Sequence, residues 1–486
     1  MLLSELLNGL TIEKIYQSTQ ETTIREVYAD SRLIQKGDLF VALSGGSEDG
    51  HEYVADAEKR GAVAAVVEKY QKDVRIMQNV VKDTRKALSF IAANRFSNPQ
   101  DDLKIVGVTG TNGKTTTCHL LASILRAAGK RVGVIGTIGC FYEGREYPSA
   151  LTTPDPLTLF RVLSDMRRSG VEYVVTEVSA HAIYYKKTAA IPFSACIFTN
   201  CTQDHLDFFG TMERYAAVKK SLFEGERGGV AIVNADDPLG AEILRGRADA
   251  KSYALKNSSS VTAEIKEAKT SGTKIRLCTD EGVVDTKLRL TGEYNVYNAL
   301  AAACCARALG VDNKAIAQGL SALERVPGRL ERVGSVHGGD IFVDFAHTPD
   351  GLEKVLSAIK ERCRGRLCCV FGCGGNRDAK KRPLMGEVAA RYADFSVLTS
   401  DNPRYEEPYS IISAIEKGYR KYSRDYVVEQ DRRKAIEYAA RRLGEGDALV
   451  VAGKGAENYQ EIMGIKYDYN DKTVIEEIVA KILSEE

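Results

Sequence analysis

Residues that could bind the phosphates of a nucleotide cluster in one short stretch: Gly110, Thr111, Asn112, Gly113, Lys114, Thr115 and Thr116. Backbone N–H groups in such a loop hold phosphate oxygens, the lysine ammonium adds a positive charge, and the threonine hydroxyl can bind Mg²⁺. The strict G-x-x-x-x-G-K pattern requires glycine at position 108, where Val108 stands. An apolar run precedes the loop and an amphipathic segment follows it, so the sequence predicts a strand, a phosphate loop and a helix.

Two further polar residues come at or after apolar runs. Glu177 ends the run 171–178, and His205 lies in a polar loop after the run 194–200. In open α/β sheets, ligands bind where the strands end. Thr115, Glu177 and nucleotide phosphates would supply the oxygen ligands that Mg²⁺ prefers. Histidine is a less typical partner of Mg²⁺, so the residues alone leave His205 open as a metal ligand or a structural hydrogen-bonding group.

The tetrapeptide Asp401-Asn402-Pro403-Arg404 follows the apolar run ADFSVL at 393–398. Proline fixes its own φ and moves the residue before it out of helical space, so this corner is stiff. The flanking amide and guanidinium both suit recognition of a small, polar, charged molecule. The alternative from the residues alone is a solvated turn.

Predicted strands and helices, which must position these groups, alternate along the chain. Predicted strands cover 37–43, 61–69, 103–110, 131–137, 171–178, 194–200 and 228–236, and four more follow in DIFVDFAH, RLCCVFGCGG, ADFSVLTSD and DALVVAGKG. Helical patterns between the runs imply parallel β-α-β units with helices on both sheet faces. Polar breaks at 94–102 and 325–331 predict an α/β protein of three domains, at residues 1–100, 101–330 and 331–486.

Composition narrows the class of protein. The 486 residues are 44% apolar and 27% charged, with a formal net charge of +1, so no global field recruits nucleic acid or a membrane. No apolar run approaches the roughly 20 residues of a membrane span, and MLLSELLNGL carries no basic leader, so we expect neither membrane insertion nor a signal peptide. The 11 cysteines include no C-x-x-C pair. We expect reduced thiols and a cytoplasmic protein.

The stretch GVTGTNGKTTT at 107–117 resembles the nucleotide loop of the Mur ligase family, the ATP-dependent amino-acid ligases of peptidoglycan synthesis and their folylpolyglutamate relatives. The resemblance covers essentially the whole chain, because further motifs come in the family's order. They are DSRLIQKGDLFVALSG (30–45), TTPDP (152–156), TEVSAHA (176–182), FTNCTQDHLDFFG (198–210), GEYNVYNALAA (292–302), VPGRLERV (326–333), VDFAHTPDGL (343–352), FGCGGNRDAKKRPLMG (371–386), DNPR (401–404) and GKGAE (453–457).

The resemblance implies an N-terminal α/β UDP-binding domain, a central P-loop-type doubly wound sheet and a C-terminal Rossmann-like domain. The implied reaction is ATP-driven amide formation through an acyl phosphate, by a monomer. The motifs are most similar to those of family members that add the third amino acid of the peptide. That implies UDP-N-acetylmuramoyl-L-alanyl-D-glutamate, meso-diaminopimelate and ATP as partners. L-Lysine as the added amino acid, folylpolyglutamate synthesis and a nucleotide-gated binding protein without ligase chemistry are alternatives. The DSR…GDLFVAL segment disfavours the folate enzyme.

The resemblance also assigns roles around the phosphates. It implies catalytic roles for Lys114, Glu177, His205 and Lys219, and makes Thr115, Glu177, His205 and Lys219 the metal ligands. It implies that Asn295, Arg329, Asp344 and His347 hold the nucleotide, although helix capping and salt bridges are alternatives for each alone.

The same resemblance implies that CO₂ carbamylates Lys219. A carbamate would supply oxygen beside the metal where an ammonium would be repelled. The amine must be neutral to react, a state that lysine reaches when desolvated. From the residues alone, Lys220 is a rival, and a plain surface helix with both lysines in water stays open.

Substrate contacts follow from the same resemblance. Those to the UDP-muramoyl-dipeptide are Ser31, Gly46, Ser47, Glu48, Thr152, Thr153, Ser179 and Lys187, and those to diaminopimelate are Arg377, Asp401, Asn402, Pro403, Arg404, Gly453 and Glu457. The chain departs from the family pattern at Tyr185 and Lys187, where glutamine and arginine are usual, and at Ala456, where histidine is usual. Lysine keeps the charge of arginine but loses its fork. Arg404 would bind the far carboxylate of diaminopimelate, a group that L-lysine lacks.

Overall fold

The structure is a computed structural model that describes residues 1–17, 21–45, 48–149, 151–225, 229–269 and 272–485. The chain divides into two compact units. The first comprises 1–107, 131–194 and 224–229, and the second comprises 108–130, 195–223 and 230–486. The domain boundaries 1–100, 101–330 and 331–486 stay a prediction.

The first unit begins with a five-stranded sheet of order β1-β5-β4-β3-β2, in which β1 is antiparallel to β5 and the other pairs are parallel. The predicted strands at 37–43 and 61–69 are confirmed as β3 and β4. The elements are α1 (Leu3–Leu6), β1 (Lys14–Tyr16), β2 (Val27–Tyr28), β3 (Leu39–Val41), α2 (Val54–Lys59), β4 (Ala64–Val67), β5 (Met77–Val80) and α3 (Thr84–Arg95). The predicted break at 94–102 begins with the last two residues of α3 and contains a short 3₁₀ helix, Pro99–Asp101.

The middle of the chain alternates strands and helices as predicted. Its elements are β6 (Lys104–Thr109), α4 (Lys114–Ala127), β7 (Val132–Ile135), β8 (Cys140–Tyr142), β9 (Arg145–Tyr147), α5 (Pro156–Arg168), β10 (Tyr173–Glu177), α6 (Ala180–Tyr184), β11 (Ala195–Phe198), α7 (Leu206–Phe209), α8 (Met212–Lys220), β12 (Val230–Asn234), α9 (Pro238–Gly246), β13 (Lys251–Ala254), β14 (Val261–Lys269), β15 (Gly272–Thr279), β16 (Gly282–Leu288), α10 (Glu293–Ala308) and α11 (Asn313–Ala322). All five strands predicted for this region are confirmed, as β6, β7, β10, β11 and β12.

The boundary between the units falls inside β6, after residue 107. In the first unit, β10 is parallel to β7, and β8 and β9 extend that sheet with antiparallel pairs. In the second unit, β11, β12, β13 and β14 pair in parallel, and β15 and β16 continue the sheet as antiparallel hairpins.

The C-terminal part of the second unit contains a six-stranded sheet of order β17-β18-β22-β19-β20-β21, parallel except for β17. Its elements are β17 (Glu331–Val336), β18 (Gly339–Asp344), α12 (Pro349–Lys360), β19 (Leu367–Phe371), α13 (Lys381–Tyr392), β20 (Phe395–Leu398), α14 (Pro408–Tyr419), β21 (Tyr426–Val428), α15 (Arg432–Ala440), β22 (Ala448–Ala452), β23 (Tyr459–Ile462), β24 (Ile465–Asp468) and α16 (Asp471–Glu485). Strands β23 and β24 form a separate antiparallel hairpin.

Strand β19 explains why this sheet is covered on both faces. Leu367, Cys369 and Phe371 pack in one core with α12, α13 and α14, whereas Cys368 and Val370 pack in another with α15 and α16. Successive side chains of a strand point to opposite faces, so a continuous apolar run fits a sheet buried on both sides. The predicted doubly wound arrangement is confirmed.

The cysteines lie mostly in the protein core. All eleven cysteines are free thiols, and most of them are buried. Among the described residues, no helix is long and apolar enough to cross a membrane.

Candidate active site

The predicted phosphate loop joins β6 to α4. Gly110 has a φ of 149° and Gly113 a φ of 86°, a region that favours glycine. A Cβ on Gly110 would lie 1.8 Å from Thr199 Oγ1, and one on Gly113 would lie 2.3 Å from Asn298 Oδ1. Both glycines are therefore required by backbone conformation and by close packing.

Two cationic side chains lie at this loop. Lys114 Nζ donates to the carbonyl oxygens of Gly110 and Thr111, each over 2.8 Å. Arg329 Nη2 donates to Thr115 Oγ1 over 2.8 Å. A helix N-terminus already favours anions, and these two charges strengthen that preference. The structure thus brings the predicted loop and Arg329 together.

The middle residues of the loop are held by neighbouring polar groups. Thr111 Oγ1 donates to the Thr202 carbonyl over 3.1 Å, and the Asn112 N–H donates to Asn200 Oδ1 over 2.9 Å. Asn112 Nδ2 also donates to Asp350 Oδ2 over 2.7 Å, while Thr116 is buried in the first turn of α4. The loop is thereby held in one conformation before any ligand binds.

Three cationic or titratable side chains lie within 4 Å of the Asp204 carboxylate. Asp204 is 3% exposed, and its carboxylate oxygens lie 3.3 Å from His205 Nε2, 3.7 Å from His347 Nε2 and 3.3 Å from Lys381 Nζ. Burial alone would raise the pKa of Asp204, but the contact with His347 and the charge of Lys381 outweigh it and hold the pKa well below its usual value. Asp204 therefore stays ionised and fixes both predicted histidines.

Lys219 and its neighbour Lys220 lie in different environments. Lys219 is 1% exposed, and its Nζ lies 4.2 Å from the centre of the Tyr215 ring. Burial, reinforced by the charge of Lys114, lowers the pKa of Lys219 to about 7. Lys220 is partly exposed, and its Nζ lies 3.6 Å from Glu242 Oε2. The alternative of a surface helix with both lysines in water is therefore wrong for Lys219.

The predicted nucleotide residues Asn295 and Asp344 are both buried and both organise neighbouring groups. Asn295 Nδ2 donates to the Thr291 carbonyl over 2.7 Å, and Asn295 Oδ1 accepts from Asn298 Nδ2 over 3.0 Å. Asp344 accepts the N–H groups of Leu330, over 2.6 Å, and Ala346, over 2.7 Å. Asp344 thus fixes the turn that carries Arg329, and burial raises its pKa. Their contact with a nucleotide stays a prediction.

In the first unit, Glu177 organises the residues predicted to bind the acyl-peptide end. Glu177 is 1% exposed and accepts from the N–H of Thr137 over 2.8 Å and from its hydroxyl over 3.1 Å. Thr137 Oγ1 in turn accepts from the Thr152 hydroxyl over 3.1 Å. Thr153 Oγ1 lies 3.4 Å from Ser179 Oγ and donates to the Glu177 carbonyl over 2.9 Å. Four predicted residues thus form one cluster at the end of β10.

Lys187 joins this cluster. Its Nζ donates to the Thr153 carbonyl over 3.1 Å, and burial lowers its pKa. Tyr185, for which the sequence predicts no role, lies against the guanidinium of Arg85, 4.1 Å from the ring centre.

The predicted contacts to the UDP end lie in the five-stranded sheet region. Ser31 is 7% exposed and begins a 3₁₀ helix, Ser31–Leu33. Glu48 is exposed, and its carbonyl accepts from the N–H of Gly45 over 2.7 Å. Gly46 and Ser47, which are also predicted to contact the UDP end, lie outside the described residues.

The residues predicted to bind diaminopimelate form a hydrogen-bonded group after β20 and β22. Asn402 Nδ2 donates to Glu457 Oε2 over 2.9 Å, and a Cβ on Gly453 would lie 2.5 Å from Asp401 Oδ2. Arg404 has a φ of 53° and follows the buried Pro403. The structure thus brings these predicted residues together, while Arg377 is exposed on the neighbouring loop.

The sequence did not single out several residues of the site as functional. Lys454 is fully buried and donates to Asn402 Oδ1 over 2.9 Å and to Glu457 Oε2 over 3.1 Å. Asp204 and Lys381 were likewise missed, although the first lies in the DHLD motif. Asn298 follows Asn295 by three residues on α10, so helical spacing could have identified it.

Three family models match segments of the chain between residue 23 and residue 455. Family profiles described as Mur ligase family, catalytic domain, as Mur ligase middle domain and as Mur ligase, glutamate ligase domain match residues 23–97, 108–306 and 328–455. These three matches confirm the predicted three-domain α/β fold.

The chain is also similar to proteins along their full length. It is 40% identical over 486 residues to the UDP-N-acetylmuramoyl-L-alanyl-D-glutamate--2,6-diaminopimelate ligase of Syntrophomonas wolfei, covering 99% of each chain. A solved structure with that enzyme name is 29% identical, with a TM-score of 0.68 and 99% of each chain covered. A MurF ligase from Thermotoga maritima in complex with ADP has the same fold, with 22% identity, a TM-score of 0.65, and 95% of this chain and 99% of that chain covered.

Proposed function

Because this chain belongs to the Mur ligase family, we propose that it uses ATP to join meso-2,6-diaminopimelate to the D-glutamate of UDP-N-acetylmuramoyl-L-alanyl-D-glutamate, a step of peptidoglycan precursor synthesis. The observation that carries this function is the 40% identity over 99% of the chain to a ligase of that name. We further propose that it acts in the cytoplasm as a monomer.

The proposed reaction has two steps. The D-glutamate carboxylate attacks the γ-phosphorus of ATP, which forms an acyl phosphate and releases ADP. The amine of diaminopimelate then attacks the acyl carbon, the C–O bond to phosphate breaks, and the amine loses a proton. Phosphoryl transfer of this kind depends mainly on positioning and on stabilisation of negative charge.

Lys114 and Arg329 are suited to that stabilisation. Lys114 Nζ is held by two loop carbonyls and Arg329 Nη2 by Thr115 Oγ1, so both cations are positioned before the nucleotide arrives. Phosphate oxygens can replace these weaker neutral acceptors, because hydrogen bonds between charged groups are stronger. Removing either cation should therefore slow the first step.

The residues present fit Mg²⁺ and a carbamate. In the second unit, Thr115 offers a buried hydroxyl, an oxygen donor of the kind that Mg²⁺ prefers. In the first unit, Glu177 offers a buried carboxylate, and its part in a metal site stays a prediction. When bound, Mg²⁺ neutralises phosphate charge. His205, fixed by Asp204, is the proposed third ligand. We propose that Lys219 carries a carbamate, since its buried amine has a pKa of about 7 and is half neutral at that pH.

The amino-acid site is proposed to be the group around Asn402, Arg404 and Glu457. The guanidinium of Arg404 offers charge-assisted hydrogen bonds to the far carboxylate of diaminopimelate. Glu457 is proposed to accept from the far ammonium. L-Lysine has no carboxylate at that end, so it would leave the arginine donors unpaired, which disfavours it.

The test is phosphate release from ATP. A ligase should release phosphate only when UDP-N-acetylmuramoyl-L-alanyl-D-glutamate and an amino acid are both present. Release with ATP alone, or binding of ATP without any release, would favour the alternative of a nucleotide-gated binding protein. The L-lysine alternative would appear as a rate with L-lysine that equals or exceeds the rate with diaminopimelate.

A further inference from the structure

The β23–β24 hairpin holds the main chain of Arg404. A φ of 53° is uncommon for a residue other than glycine and persists only where neighbouring groups stabilise it. The N–H of Arg404 donates to the carbonyl of Glu461 over 3.1 Å, and the carbonyl of Arg404 accepts from the N–H of Met463 over 2.7 Å. The hairpin therefore fixes this backbone on both sides of the residue.

Glu461 also holds the side chain of Arg404. Arg404 Nε donates to Glu461 Oε2 over 3.1 Å, and Arg404 Nη1 donates to the carbonyl of Gly375 over 2.8 Å. A Cβ on Gly374 would lie 3.0 Å from Nη1, so the small residue there leaves room for the guanidinium. No group in the described part of the chain accepts a hydrogen bond from Nη2. The Nη2 edge is thus left for a ligand.

We propose that Glu461 is a specificity-determining residue, which orients Arg404 toward the far carboxylate of the incoming amino acid and cancels the charge of its guanidinium. This inference rests on the proposed function. The two side chains are 18% and 21% exposed, so the pair is partly shielded from water and from salt.

The charge of Glu461 decides how L-lysine is rejected. An unpaired Arg404 would repel the side-chain ammonium of L-lysine, but the ion pair with Glu461 removes most of that repulsion. Rejection then depends on arginine donors left without an acceptor. A neutral residue that keeps the contact at position 461 should restore the repulsion and sharpen the preference for diaminopimelate.

Two other carboxylates in this region already have cationic partners of their own. Lys454 Nζ lies 3.1 Å from Glu457 Oε2, so those two residues already form a pair of their own. Glu406 is likewise paired, at 2.8 Å, with Arg382. Glu461 is therefore the carboxylate whose removal changes the charge that Arg404 presents.

The experiment compares two substitutions at one position. Glu461→Ala removes the contact and the charge, and we expect the KM for diaminopimelate to rise about tenfold, which corresponds to about 1.4 kcal/mol. The KM values for ATP and for the UDP-substrate, and the Tm, should stay at the wild-type values. Glu461→Gln keeps an acceptor for Nε, and we expect the ratio of kcat/KM for diaminopimelate over that for L-lysine to increase by about threefold or more.

The matched control is Glu437→Ala. Glu437 is 26% exposed and pairs with Arg441 at 2.8 Å, so it tests the loss of a similar ion pair elsewhere. A Glu461→Ala enzyme with an unchanged KM for diaminopimelate would overturn the inference. A uniform rise in all three KM values would also overturn it, because it would show that Glu461 has only a structural role. If Glu461→Ala does not fold, an unchanged ratio in Glu461→Gln overturns it. A wild-type enzyme that adds no diaminopimelate would instead overturn the proposed function.

Discussion

Lys219→Ala tests whether this buried lysine carries a carbamate. Its pKa of about 7, compared with 10.5 for an ordinary lysine, makes about half of the amine neutral at pH 7, against about 0.03% for an exposed lysine. The lowered pKa therefore increases the fraction of neutral, reactive amine by about 10³-fold. Because the pKa is lowered, the neutral amine accumulates above pH 7, and carbamate formation at fixed dissolved CO₂ should increase as the pH rises through 7.

The assay has two parts, with Lys220→Ala as the matched control because Lys220 is adjacent but partly exposed. Removal of one preorganised group that stabilises the transition state typically lowers kcat by about 10² to 10³, and we expect this loss for Lys219→Ala alone. A short carboxylic acid should restore part of the activity by replacing the missing oxygens. Protein incubated with ¹³C-bicarbonate should show a carbamate NMR signal in wild type and in Lys220→Ala. Full activity of Lys219→Ala without added acid, or a carbamate signal that survives in it, would refute the reasoning.

The remaining predictions concern the phosphate site, the UDP end and the core. Lys114→Ala and His205→Ala should abolish turnover and leave the circular-dichroism melt unchanged, whereas a lost melt would show that they are structural. Ser31→Ala should raise the KM for the UDP-substrate and leave the KM for ATP unchanged. An unchanged KM for the UDP-substrate would exclude a contact between Ser31 and that substrate. Asp471→Asn should lower the free energy of unfolding in urea by about 3 to 5 kcal/mol, because it leaves the fully buried Arg432, bonded at 2.7 Å, without its counter-charge. A loss below about 1 kcal/mol, as expected for an exposed ion pair, would contradict that estimate.

Elements buried on both faces were the easiest to predict from the sequence. Strands such as β4 and β22 are continuous apolar runs, and both are fully buried. The β14–β16 hairpins were not singled out, because the exposed positions of VTAEIKEAK carry charged residues and blur the pattern. The sequence therefore predicted the buried parallel strands better than the antiparallel strands that extend the sheet.

The site was predicted where its residues are close in sequence and missed where they are distant. The phosphate loop and the DNPR corner are contiguous, so their types and spacing identify them. Asp204 and Lys381 are 177 residues apart, and Arg404 and Glu461 are 57 residues apart, so only the fold brings each pair together. The choice of Lys219 over Lys220 rested on the family resemblance. A local signal was also present, because Tyr215 and Lys219 are four residues apart and share the buried face of α8.

Arg404 is proposed to be the residue through which this ligase selects diaminopimelate. The most direct measurement incubates wild type and Arg404→Ala with ATP, UDP-N-acetylmuramoyl-L-alanyl-D-glutamate and a panel of amino acids, and identifies the product by mass. Wild type should yield the meso-diaminopimelate product far faster than the L-lysine product. Arg404→Ala should lose diaminopimelate use by about 2 to 5 kcal/mol in kcat/KM, with the KM for ATP unchanged. Equal use of L-lysine and diaminopimelate by wild type would contradict this account.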